Sequence, residues 1–150
     1  MRKRTPMPLV TATSHLPVPA RRVWPLVRWN GALGDWYPGA VSMVVEGVGK
    51  GALRRLRLYD GAPVVHRLEH VSRIDDAYTY AVVEGPYPVA DLLAQIRLRA
   101  DGERQAALDW TATFRPITSH PNQGAEAEAE RFVRDLYDAG MARLRSLLQP

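Results

Sequence analysis

Three patterns predict an α+β protein in which a curved antiparallel sheet of about seven strands wraps one long C-terminal helix, with two short helices after the first strand. Six apolar segments follow one another between residues 41 and 115, separated by short connectors rich in Gly, Pro and Asp, which is the punctuation of an antiparallel meander. Beyond a polar loop at 116–124, apolar and aromatic residues recur at Phe132, Val133, Leu136, Tyr137, Met141, Leu144, Leu147 and Leu148, the stripe of a single helix over residues 123–148. Ahead of the meander stand one alternating strand and two short helical stretches.

In order, residues 9–16 alternate and read as a strand closed by Pro17-Val18-Pro19. Residues 19–31 carry apolar side chains at Ala20, Val23, Trp24 and Val27 and stop at Gly31, a short amphipathic helix that contains Pro25. A second helical turn covers 33–37 before Pro38. The meander strands are 41–46, 52–59, 64–74, 78–84, 90–99 and 105–115. The glycine-rich connector Gly47-Val48-Gly49-Lys50-Gly51 precedes a strand and lacks a Gly-Lys-Ser/Thr ending, so it is a hairpin turn and not a phosphate loop. At 1.5 Å per residue the last helix is roughly 38 Å long, enough to cross a whole sheet. A helix laid over a bent sheet leaves a gap beneath it, and that gap is where a site is expected.

The chain of 150 residues is the size of one domain. Residues 1–8, with Arg2-Lys3-Arg4, are expected to be a disordered tail, and residues 9–150 one domain. There is no cysteine, so neither disulfides nor thiolate metal sites are available. No run of 18 apolar residues and no signal-peptide core occurs, which points to a cytoplasmic protein without a membrane span. The net charge is +4, yet the arginines are dispersed and interleaved with acids, so nucleic acid is not an expected partner. His66 and His70 have only His15 and His120 as further imidazoles, at no ligand spacing, and no metal or other cofactor is called for.

The chemistry concentrates in the hairpin 49–68. Alternation puts Ala52, Arg54, Leu56 and Leu58 on one face of its first strand, and Val64, His66, Leu68 and His70 on one face of its second. A guanidinium and an imidazole thus point with leucines, and burying them requires partners, water or a ligand. A register shifted by one would instead leave Arg55, Arg57 and Arg67 as an ordinary solvated face with Arg54 at its rim. His66 can act as a general base or donate a hydrogen bond to a ligand oxygen. Arg54 can hold an anionic or carbonyl oxygen with its planar fork, or pair with Glu46, Glu69 or Glu84. Tyr80 and Tyr87 can stack on a flat ligand, while Trp36, Trp110 and Tyr137 supply aromatic wall; Trp24 and Trp29 are assigned to packing. If Trp110 faces inward, Asp109, Thr111 and Thr113 face solvent.

This order of elements resembles the helix-grip fold of the START/Bet v 1-like (SRPBCC) superfamily, and local motifs resemble its polyketide cyclase/dehydrase-like branch. Gly51-Ala52-Leu53-Arg54-Arg55-Leu56 is similar to the family's G-x-x-R-x-L, His66-Arg67-Leu68 occupies its E-x-L position, and Asp75-Asp76 matches its hairpin acids. Tyr80 with Gly85-Pro86-Tyr87-Pro88-Val89 resembles the next strand and loop, Trp110 to Pro116 its W-x-x-x-F-x-P, and Tyr137 to Leu144 its closing helix. Plant abscisic-acid receptors share the superfamily; their two mobile loops have counterparts in Asp60-Gly61-Ala62-Pro63 and Gly85-Pro86-Tyr87-Pro88, expected to flank the pocket mouth. This chain departs from the receptors at His66, where they carry glutamate, at Leu92, where they carry an aromatic, and in residues 41–46, which hold no lysine. The resemblance implies a protein that binds a hydrophobic, aromatic or polyketide-like small molecule internally, with Arg54 and His66 as anchors and Trp36, Tyr80, Tyr87, Trp110 and Tyr137 as contacts. It also admits a cyclase or dehydratase using His66 as general base with Arg54. A third function is that of an accessory protein acting through its surface, and a homodimer is left open.

Overall fold

Alternating burial along the strands sets the two faces of the sheet, and the apolar face receives the helices. The structure is a computed structural model that describes residues 7–117 and 123–149; His120 and most of the N-terminal tail lie outside them. In order the elements are β1 (Leu9–Leu16), α1 (Ala20–Val27), α2 (Leu33–Trp36), β2 (Ala40–Glu46), β3 (Leu53–Leu58), β4 (Pro63–Val71), β5 (Asp76–Glu84), β6 (Val89–Ala100), β7 (Ala106–Pro116) and α3 (Gln123–Leu147). The seven strands form one sheet in the order β1-β7-β6-β5-β4-β3-β2, every neighbouring pair antiparallel. This is the architecture the sequence predicts, with β2 to β7 linked as successive hairpins.

In β1, Val10, Ala12, Ser14 and Leu16 are buried and the residues between them exposed, and in β6 Leu92, Ala94, Ile96 and Leu98 are buried in the same way. Along α3, Val133, Tyr137, Met141 and Leu144 are buried at 0–2 % exposure, so the helix presents a continuous apolar stripe to the sheet. The helix approaches closely because residue 140 is glycine. A Cβ there would meet Cζ3 of Trp110 at 2.9 Å, Cδ of Pro38 at 3.4 Å and Cζ3 of Trp36 at 3.5 Å.

Two elements differ from the sequence expectation in ways that shape the site. The helix expected over 19–31 stops at Val27, where Arg28 turns to extended backbone with ψ 162°. The chain then passes through an irregular segment, and Trp29 is buried in it. The strand expected to reach residue 74 stops at Val71, because the Ser72 hydroxyl accepts the backbone N–H groups of Ile74 (3.3 Å) and Asp75 (3.0 Å) and closes a local turn. Within that strand the register with β5 slips between Leu68 and His70, which leaves Leu68 buried and His70 exposed. His70 therefore does not share the face of His66.

Toward the hairpin loop at residues 85–88, β5 and β6 diverge. Their pairing ends at Ala81 and Leu93, the β6–β7 register breaks between Ala90 and Leu93, and Asp91 takes a left-handed φ of 52°.

Candidate functional site

Arg54 and His66 sit directly opposite each other on β3 and β4, and both are completely removed from solvent. Period-two alternation is obeyed: Arg55, Arg57 and Arg67 point outward and are exposed. Arg54 donates through Nε (3.2 Å) and Nη2 (3.0 Å) to Nδ1 of His66. Its Nη1 donates to the Trp29 carbonyl (3.3 Å) and to the Tyr78 hydroxyl (3.0 Å), and that hydroxyl donates onward to the Val27 carbonyl (2.7 Å). Three rings surround the guanidinium carbon, Trp29 at 4.3 Å, Tyr80 at 5.1 Å and Tyr78 at 5.4 Å.

No carboxylate pairs with Arg54 among the described residues. The acids considered as its partners are engaged or turned elsewhere, Glu46 on Arg55 (3.1 Å) and Glu69 on Arg67 (2.7 Å), with Glu84 exposed. The cation is thus held only by neutral acceptors and π-faces, an arrangement whose desolvation costs several kcal/mol and is normally offset by a counter-charge.

A guanidinium has no lone pair to offer. Nδ1 of His66 must then be the acceptor of both Arg54 donors, so the neutral imidazole carries its proton on Nε2. Burial and, after it, the Arg54 cation push the imidazole pKa well below 6.5, which keeps it neutral. With one nitrogen occupied and the other protonated, this geometry offers a donor at Nε2 in place of the general base considered from sequence. That Nε2 has no hydrogen-bond partner and no contact with solvent.

The remaining residues form one aromatic body around the imidazole. Tyr80 stacks on His66 at 4.4 Å, and Tyr37 meets it edge-on at 5.6 Å. Nε1 of Trp110 donates to the Tyr80 hydroxyl at 2.9 Å, and Trp110 lies between Tyr137, stacked at 3.9 Å and 9°, and Trp36, edge-on at 5.5 Å. Trp36 is pinned in turn by Nε1 donating to the Leu26 carbonyl at 2.8 Å. The Tyr37 and Tyr87 hydroxyls share one hydrogen bond of 2.6 Å, and the half-buried Tyr87 ring also touches Phe132 of α3 at 5.4 Å. Burial raises the pKa of Tyr37, Tyr80 and Tyr137, and neighbouring phenols raise those of Tyr37 and Tyr137 further. The Tyr87 phenol is pushed up to about 12 by burial, against the lowering effect of its bond to Tyr37. All four stay protonated near neutral pH. Trp29 Nε1 is, with His66 Nε2, buried without a partner among the described residues, and each such orphan costs about 1–3 kcal/mol; the Tyr137 hydroxyl interacts with that of Tyr80.

All seven residues singled out from sequence, Arg54, His66, Trp36, Tyr80, Tyr87, Trp110 and Tyr137, are joined by these contacts. The gap expected beneath the helix is, around Arg54 and His66, occupied by rings: no water-sized space adjoins His66 Nε2 or the Tyr137 hydroxyl. Sequence reasoning missed three members. Trp29, assigned to packing, covers Arg54 and accepts from it, while Tyr37 and Tyr78 were not singled out. Tyr78 was within reach, since it shares the inward face of β5 with Tyr80. Trp24 is half-buried against the core. Asp109, as expected of the outward face, accepts from Thr13 (2.8 Å) and from Arg99 (2.8 Å and 3.1 Å).

The loops read as a pocket mouth lie side by side, with Ala62 and Pro63 facing Glu84, Gly85 and Pro86 across a cleft of about 230 Å³. A larger cleft of about 770 Å³ opens where β5 and β6 diverge, lined by Arg67, Val83, Asp91 and Leu93 among others. No helix among the described residues is long and apolar enough to cross a membrane.

A seven-stranded antiparallel sheet gripping a long C-terminal helix is the helix-grip fold. The chain belongs to the family described as polyketide cyclase / dehydrase and lipid transport, which it matches over residues 7–149. Among solved structures it is similar to the protein XoxI from Bacillus cereus, at 26% identity over 95% of this chain and 96% of that one with a TM-score of 0.80. It is also similar in fold to the Zhui aromatase/cyclase from a Streptomyces species (18% identity, 95% and 93% covered, TM-score 0.76). A third structure of this kind is norcoclaurine synthase from Thalictrum flavum (16% identity, 98% and 97% covered, TM-score 0.70). No curated protein sequence matches the chain.

Proposed function

We propose that this protein binds a planar, mainly hydrophobic small molecule between the sheet and α3, with His66 and Arg54 as its polar anchors. The family and the Bet v 1-like fold support binding of a hydrophobic ligand or a cyclase activity. The observation that carries the choice of site is the solvent-free Arg54–His66 pair, whose imidazole keeps an unused donor among stacked aromatic rings. Apolar burial supplies most of the affinity and the anchors fix orientation. Because no water-sized space adjoins Nε2, a ring must move for the ligand to enter. Tyr87 is the half-buried ring of the set and sits on the β5–β6 loop.

The test is a thermal-shift and native mass spectrometry screen with naphthalene- and anthracene-based phenols and ketones. A ligand of the native state present at 100 times its Kd adds about 2.7 kcal/mol of stability, so a concentration-dependent rise in Tm with a one-to-one complex is expected. Absence of both for every compound, and for 2-naphthoate, 2-naphthamide and 2-naphthylmethylammonium as well, overturns the proposal and turns attention to a surface-acting accessory role.

A catalytic version of the same site is favoured by the orphan donor itself. His66 Nε2–H is a donor for a carbonyl oxygen of a bound polyketone: in aldol closure the substrate's own enol carbon forms the new C–C bond as that C=O π bond breaks, and the enol O–H proton passes to the resulting alkoxide. A His66→Gln variant separates the two versions: loss of affinity alone supports a binder, and retained affinity with lost conversion of a bound polyketone supports an enzyme.

A further inference from the structure

The interior is short of acceptors. Among the described residues, Trp29 Nε1 and His66 Nε2 are buried side-chain atoms without hydrogen-bond partners, and each has a proton to give. Arg54 adds a full positive charge that no carboxylate faces. Tyr37, Tyr80 and Tyr87, which line the same body, are protonated and supply no negative charge. Water does not reach these atoms, so neither the donors nor the cation is relieved by solvent.

Resting on the binding function proposed above, we propose that the ligand is an aromatic anion: a planar ring bearing an ionised oxygen, carboxylate or phenolate, seated on His66 Nε2–H. The donor sits in one connected aromatic body, since Tyr137 stacks on Trp110, Trp110 donates to Tyr80, and Tyr80 stacks on His66. The imidazole links the ligand oxygen to the cation. Arg54 holds Nδ1 with two donors, which polarises the ring and strengthens the opposite N–H as a donor to negative charge. A neutral carbonyl would satisfy the donor yet leave the guanidinium without a counter-charge, and a ligand cation would meet Arg54 as a like charge.

The experiment compares 2-naphthoate, 2-naphthamide and 2-naphthylmethylammonium, three probes with one ring system and different charge, by calorimetric titration of the wild-type protein near neutral pH. Naphthoate is expected to bind at least roughly tenfold more tightly than the amide, with the ammonium compound weakest. In Arg54→Met the ratio of naphthoate to amide affinity narrows, while the outward-facing Arg55→Met leaves it unchanged. Should Arg54→Met not fold, Arg54→Gln, which keeps a hydrogen-bond donor and drops the charge, replaces it and narrows the same ratio. An amide that binds as tightly as naphthoate overturns the proposal while leaving the binding function intact, and so does a naphthoate preference that disappears in Arg55→Met. If none of the three compounds binds, nor any member of the neutral screen, the binding function falls and this proposal with it.

Discussion

His66 couples the stability of the fold to pH. Its folded pKa is depressed, by burial first and then by Arg54, so the native state stays neutral while the unfolded chain takes up a proton below about pH 6.5. The unfolded state thus binds more protons in that window. The contribution is fully present above pH 6.5 and is lost as pH falls, with a slope of at most about 1.4 kcal/mol per pH unit for one proton. Thermal unfolding between neutral pH and pH 5 should show this slope in the wild type and lack it in His66→Gln; equal slopes would remove His66 as the cause. Arg54 gives a second contrast. Arg54→Ala empties space under three rings and strips His66 Nδ1, the Trp29 carbonyl and Tyr78 of a partner, an expected loss of about 3–5 kcal/mol in urea unfolding. Arg54→Met refills that space and removes the desolvated charge but leaves the same acceptors without a donor, so its loss should be smaller than that of Arg54→Ala and not zero. Arg54 and His66 were legible because a polar residue in phase with leucines stands out under a period of two. Trp29 and Tyr37 were not, because both lie in irregular segments where no periodicity assigns a side.

At the scale of elements, α3 and the sheet meet through Gly140, and the sign of a substitution there is set by packing and not by helix propensity. Propensity alone would make Gly140→Ala stabilising by about 1 kcal/mol. The new methyl group would stand 2.9 Å from the Trp110 ring, so the net expectation is a loss of about 1–3 kcal/mol, read as a lower urea midpoint at unchanged m. The boundaries of α3 were close to those read from its apolar stripe, since a long amphipathic helix repeats its signal over many turns. Short elements gave less. The early end of α1 at Val27 has no sequence mark that the apolar spacing could reveal, and the end of β4 depends on a single hydroxyl, that of Ser72, whose turn role is clear only once its acceptor geometry is seen.

Across the whole molecule, stability is graded along the sheet. β7 lies between β1 and β6 with residues 106–108, Trp110, Ala112 and Phe114 buried, whereas β2 is an edge strand whose Val41 and Val44 are 63% and 58% exposed. Native-state hydrogen exchange should therefore find β6 and β7 amides the slowest and β2 amides the fastest among the strands. Uniform protection across the seven strands would contradict that gradient. The order of the meander followed from its short connectors, which force neighbours in sequence to pair. The closure of β1 against β7 did not, because it joins segments about a hundred residues apart and no local pattern encodes it; the resemblance to helix-grip proteins supplied that step. The sealed position of Arg54 also decides how electrolyte acts on the protein. Dissolved ions screen exposed charges over about 30 Å at 0.01 M and about 3 Å at 1 M, but they screen a guanidinium with no solvent contact much less. An anion held inside should keep its affinity across that range, whereas one held by the exposed Arg55, Arg57 and Arg67 would be released as salt is added.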